Sequence, residues 1–302
     1  MLSNPEIKQP LSKAVKSCFI VFVLVLAGCS ESQLLLINSL ARFDDYSAVE
    51  NIPYGDHELN HLNIYLPEPA NQSHATVVFF YGGCWGGCET INKEHYLFVA
   101  QALTSHGYTV VIPDYRRHPE VKFDAIINDS KQSVDWVKTH IAEYGGNSEN
   151  IFLMGHSAGA HLAAMLTLNE DYLAPLTYRS IKGFIGLAGP YNFLPFTDAY
   201  QKVVFGPEEK YPDSQPINFV QGTEPPLLLL YGTDDVLVKS VNIESLSRKV
   251  KEAGGCVETH IYGNLDHVGL LGSLSLPLQN SEPVLSDIIH FLNRYSEPNK
   301  SC

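Results

Sequence analysis

The chain has 302 residues, 45% of them apolar and only 18% charged, which is enough to bury a large core in one or two domains. Its formal charge of −13, with no clustered Lys and Arg, excludes a nucleic-acid partner, because phosphate binding needs a basic face.

In chain order, Lys8, Lys13 and Lys16 precede the apolar run CFIVFVLVLAGC, which ends at Cys29. That run is too short for a mature membrane span, and its basic flank fits a secretory leader. Leu26-Ala27-Gly28-Cys29 resembles a bacterial lipobox, which implies cleavage after residue 28 and lipid on Cys29. An ordinary signal peptide with an incidental cysteine is the alternative. The lipobox expectation is a leader over 1–28, a polar tether over 29–45, and a lipoprotein of the outer membrane facing the periplasm, or exported. Ser30 resembles the residue found in lipoproteins not kept at the inner membrane.

The folded domain is expected over 46–298. LNIYLP (62–67) alternates and predicts an exposed strand. ATVVFFYGG (75–83) is a continuous β-branched run suited to a strand buried on both faces. A helix follows over 92–107, with a glycine suited to its C-cap. Next come the strand YTVVIPDYR (108–116), a long helix over 121–144 with Ile126, Val134, Val137 and Ile141 near one face, and NIFLMGHSAGA (150–160), a strand that turns abruptly into a helix. IKGFIGLAGP (181–190), PPLLLLYGTDD (225–235), a helix over 240–253, VETHIYG (257–263) and a helix over 284–295 complete the alternation. Such alternation predicts a mostly parallel central sheet with helices on both faces. Residues 191–224 lack periodicity and are rich in Pro, Tyr and Phe, so they are expected to form a small cap insertion.

Gly155-His156-Ser157-Ala158-Gly159 lies where a strand meets a helix, the setting of a nucleophile elbow. A serine hydroxyl needs a base, and the base needs a carboxylate to orient it. In open α/β sheets such groups gather at the carboxyl ends of strands. Asp235 and His267 occupy two such ends, in the chain order Ser, Asp, His. Asp234 is the alternative orienting acid. Of the other histidines, His156 sits inside the elbow, His161 on the following helix, His118 in a loop and His290 on a solvated helix face.

The oxyanion formed when Ser157 attacks a carbonyl needs preorganised N–H donors. The glycine-rich YGGCWGGC (81–88) follows the third strand and is placed to supply Gly83 or Cys84, alongside Ala158 after the serine. It lacks the lysine of a phosphate-binding loop. No metal-ligand spacing is evident, so neither metal nor cofactor is expected. Cys84, Cys88, Cys256 and Cys302 would meet an oxidising compartment after export, where disulfides persist. Their pairing is open, and buried free thiols are the alternative.

These motifs resemble the α/β-hydrolase superfamily, in particular carboxylesterases with an HGGxW oxyanion motif from the feruloyl-esterase-like, kynurenine-formamidase-like and hormone-sensitive-lipase-like branch. The likeness runs over about residues 50–296, through Tyr81 to Trp85, Pro113-Asp114-Tyr115-Arg116, the elbow, Gly232 to Val238 and Asp266-His267. It implies an α/β-hydrolase fold, a Ser157–His267–Asp235 triad and a small-molecule ester substrate, and its Asp-x-x-Val spacing favours Asp235 over Asp234. Tyr81 stands where that family has His, so the loop must be anchored differently. The expected activity is ester cleavage through an acyl-enzyme. Amide or formamide hydrolysis by the same residues, or a non-catalytic binding protein on this fold, are the alternatives.

Overall fold

A computed structural model describes residues 30–69, 75–88 and 91–297. The strands are β1 (Tyr46–Pro53), β2 (His61–Pro67), β3 (Thr76–Phe80), β4 (Thr109–Pro113), β5 (Ile151–His156), β6 (Ile181–Leu187), β7 (Leu227–Gly232) and β8 (Val257–Tyr262). They form one sheet in the order β1-β2-β4-β3-β5-β6-β7-β8. From β4 to β8 in that order every pair is parallel, while β2 runs against both its neighbours. The residues of β3, β4, β5 and β7 are buried throughout, as expected of β-branched and leucine-rich strands covered on both faces.

The helices among the described residues are α1 (Ser30–Ala41), α2 (Leu97–Thr104), α3 (Phe123–His140), α4 (Ala158–Leu168), α5 (Pro175–Ser180), α6 (Ala199–Phe205), α7 (Val241–Glu252), α8 (His267–Gly272) and α9 (Val284–Ser296). The segment expected to be one helix over 92–107 starts as a 3-10 turn at Lys93–Tyr96, capped by Asn92, before becoming α2. Past α3 the chain continues as a 3-10 turn to Tyr144 and stops at Gly145, whose φ of 91° releases it from the helix.

Three elements depart from expectation. β2 is not exposed: Leu62 to Tyr65 are buried on both faces, and the strand lies inside the sheet, with β1 paired on one side and β4 on the other. β1 itself (YSAVENIP) is exposed along most of its length and carries no alternation that would announce it. The stretch expected to be a tether holds α1, which docks on the body of the protein. There Asn38 Nδ2 donates to the His95 carbonyl at 2.8 Å, Asn38 Oδ1 accepts from Phe98 N at 3.1 Å, and Ala41 is buried.

Residues 191–224 contain α6 and two 3-10 turns, held by rings rather than by helical periodicity. Phe196 stacks on Phe205 at 5.0 Å and meets Tyr211 edge-on at 4.6 Å. Cys84 and Cys88 form a disulfide. Cys256 is also disulfide-bonded; Cys302, the expected leader and Cys29 lie outside the described residues. No helix among the described residues is long and apolar enough to cross a membrane.

Candidate active site

Ser157 sits between β5 and α4 at φ 55° and ψ −125°. A positive φ is unfavourable for a residue with a side chain and persists only where the surroundings impose it. Here they do. A Cβ on Gly159 would lie 2.0 Å from the Phe80 carbonyl oxygen, and one on Gly155 would lie 2.4 Å from the Gly159 carbonyl carbon. Glycine at both positions lets the elbow press against the end of β3, and Ser157 N–H is tied to the Leu187 carbonyl of β6 at 2.9 Å.

Asp235 follows β7 and His267 opens α8 just past β8. His267 Nδ1 donates to Asp235 Oδ2 at 2.7 Å, and Asp235 Oδ1 accepts from Leu237 N at 2.8 Å and Val238 N at 2.9 Å. Burial works to raise the Asp235 pKa, but the His267 bond and the two backbone donors outweigh it and hold the carboxyl below its ordinary value. With its proton on Nδ1, the imidazole keeps the Nε2 lone pair to accept another. Asp234 is exposed and takes a bond from its neighbour Thr233 at 3.1 Å, so only Asp235 pairs with His267. Asp266 caps α8 by accepting from Gly269 N at 2.6 Å.

His156 turns away from Ser157 and braces the imidazole's own backbone. Its Nε2–H donates to the His267 carbonyl at 2.9 Å, with the rings 4.6 Å apart. Burial, reinforced by His267, pushes its pKa down to about 3, so it stays neutral. The elbow motif gives this histidine no visible role, because its partner is 111 residues away.

The loop after β3 reaches the serine: a Cβ on Gly82 would lie 3.1 Å from Ser157 Cβ. Gly83, Cys84, Trp85 and Gly86 all have positive φ, at 105°, 53°, 54° and 101°. The resulting tight coil is closed by Gly86 N to the Gly83 carbonyl and Gly87 N to the Cys84 carbonyl, both 2.9 Å, and by the Cys84–Cys88 disulfide. The N–H groups of Gly83, Cys84 and Ala158 have no acceptor among the described residues. Trp85 is buried: its Nε1–H donates to His161 Nδ1 at 3.1 Å, and its ring stacks on Phe193 at 5.5 Å. His161 passes the chain on to the Ser214 carbonyl at 2.7 Å, and burial lowers its pKa to about 4.

Tyr81 shows how the loop is anchored without the histidine. Its Oη–H donates to Asp114 Oδ1 at 2.6 Å, and its ring stacks between Tyr96 at 5.3 Å and Tyr115 at 5.0 Å. Burial, and then the Asp114 charge, raise its pKa well above the usual phenol value, so it stays a neutral phenol and keeps the proton it shares with Asp114. The rest of the PDYR motif is also spoken for: Tyr115 Oη–H donates to the Tyr81 carbonyl at 2.6 Å, and Arg116 grips Asp129 of α3 through two nitrogens at 2.6 and 2.8 Å. No cluster of three or more metal-ligating side chains occurs among the described residues.

The BD-FAE family model matches residues 62–250. A probable isoprenylcysteine alpha-carbonyl methylesterase of Arabidopsis thaliana is 29% identical over 73% of this chain and 51% of its own length. A kynurenine formamidase of Salmo salar is 33% identical over 50% of this chain and 48% of its own. The chain thus spans about half the length of these curated relatives. Among solved structures, a truncated carbohydrate esterase from gut microbiota superposes with a TM-score of 0.72, at 21% identity, covering 84% of this chain and 98% of that one. The chain belongs to the BD-FAE family, and its fold is that of the α/β-hydrolases.

Proposed function

We propose that the protein is a serine hydrolase that cleaves carboxylic esters of small molecules. The carrying observation is the 2.7 Å pair of His267 and Asp235, at the same sheet rim as a serine held at φ 55°. Ser157 Oγ attacks the ester carbonyl as His267 Nε2 takes its proton, and the carbonyl π electrons move to oxygen. The N–H groups of Ala158 and of Gly83 or Cys84 hold that oxyanion; losing one such donor costs about 3 kcal/mol of barrier. Collapse breaks the ester C–O bond, and the alcohol leaves with the proton from His267. Water, deprotonated by His267, then releases the acid from the acyl-enzyme and restores Ser157. Asp235 keeps the imidazole in the tautomer both steps need.

Kinship to a methylesterase supports the ester reading. Kinship to a formamidase supports a second one, the same steps with an amine leaving group. The test is hydrolysis of a chromogenic short-acyl ester and of an aryl formamide by the wild-type chain and Ser157→Ala. Ester turnover that falls by at least about 10³-fold in the variant, without loss of folding, agrees with the proposal. Undiminished turnover in the variant contradicts it, and a formamide preference would favour the second reading.

A further inference from the structure

We propose that Asp114 is a positioning residue that clamps both ends of the loop supplying the oxyanion donors. The inference rests on the reading of Ser157 as nucleophile. Residues 81–88 leave the sheet at the end of β3, and residues 91–93 lead into the 3-10 turn before α2. At the outgoing end, Tyr81 Oη donates to Asp114 Oδ1 at 2.6 Å. At the returning end, Lys93 N donates to the same oxygen at 2.8 Å, and Lys93 Nζ pairs with Asp114 Oδ2 at 2.9 Å. One carboxylate therefore binds both feet of the loop. It is itself held through its backbone: Asp114 N–H donates to the His61 carbonyl at 2.9 Å, and its own carbonyl accepts from Tyr54 Oη.

The clamp is buried, with Lys93 and Asp114 side chains each 7% exposed, and a charge pair so placed is costly to form without a second use. Its structural consequence is local. Tyr81 is fixed at three points: the phenol on Asp114, the ring between two tyrosines, and the carbonyl under Tyr115 Oη at 2.6 Å. That carbonyl belongs to the peptide joining Tyr81 to Gly82, one peptide before the Gly83 N–H and two before the Cys84 N–H, so holding it fixes the plane from which the donor-bearing turn starts. Glycines cannot hold that plane alone, since they resist few backbone rotations. The clamp thus replaces, with a phenol and a carboxylate, whatever anchoring the histidine of related loops provides.

The test compares wild type with Tyr81→Phe, which keeps the stacked ring and removes only the bond to Asp114. Two quantities are read: kcat and KM for the chromogenic ester, and the affinity of a boronic acid that becomes tetrahedral on Ser157. A donor set that has swung out of line loses transition-state binding selectively. The expected result is a kcat about tenfold lower, KM within about twofold, and boronate affinity falling in step with kcat. Lys93→Met, which removes the Nζ bond to Asp114 at the returning foot, should move the same two quantities in the same direction, and serves if Tyr81→Phe does not fold. Wild-type kcat and boronate affinity in a folded variant, whatever its melting temperature, would overturn the clamp and leave the nucleophile reading intact. A wild-type chain whose ester turnover survives Ser157→Ala would instead remove that reading.

Discussion

The elbow around Ser157 and the loop from Tyr81 to Lys93 meet at one site, yet they are held in opposite ways. The elbow is held by the absence of side chains: Gly159 lets α4 come so close to β3 that any Cβ would meet the Phe80 carbonyl at 2.0 Å. The loop is held by the presence of side chains, with Asp114 at its feet and His161 behind Trp85 from elsewhere, and its own disulfide across its coil. A backbone steric lock is stiff and intolerant of change. A lock made of hydrogen bonds is graded, because one member can be removed while the rest remain.

Three measurements sharpen that contrast. Gly159→Ala forces a clash with backbone on the central strand, so it should cost more than about 4 kcal/mol and yield little folded protein; urea unfolding of whatever is recovered checks this. A stability within about 1 kcal/mol of wild type would mean that the elbow is not sterically locked. Tyr81→Phe should cost only about 1 to 2 kcal/mol in the same assay, since Asp114 retains both Lys93 donors and the ring stays packed.

The third measurement concerns pH. His161 is neutral in the fold down to about 4, and His156 down to about 3, whereas in the unfolded chain both take up a proton near pH 6.5. Between those values the unfolded state binds more protons. The stability these two contribute is therefore full above about pH 6.5 and drains away as the pH falls, by about 1.4 kcal/mol per pH unit for each histidine. His161→Gln should remove one such share from the slope of unfolding free energy between pH 6 and 4.5. An unchanged slope would show that His161 already titrates normally in the fold.

The same contrast explains what could be read from the chain alone. The elbow is local: five consecutive residues, Gly155 to Gly159, announce the strand-to-helix turn, and continuous runs such as TVVFF announce the buried parallel strands. The strand-end positions of Asp235 and His267 are legible for the same reason, although the hydrogen bond between them, 32 residues apart, is not. The loop's supports are distant and leave no periodic mark. Nothing near Tyr81 points to Asp114, nothing near Trp85 points to His161, and nothing in GHSAG tells that His156 reaches the His267 carbonyl. β1 was invisible because it is mostly exposed, and α1 because its docking depends on Asn38 finding the backbone of His95 and Phe98. Even the burial of β2 reflects its place inside the sheet, between β1 and β4, and not its own alternation.

The central claim is that Ser157 is a nucleophile activated by His267, and reaction with a fluorophosphonate followed by peptide mass spectrometry tests it most directly. The account predicts one adduct, on the peptide containing Ser157, formed at least about 10²-fold more slowly in His267→Ala. An unlabelled Ser157 in folded wild-type protein, or labelling at the same rate without the imidazole, would contradict it.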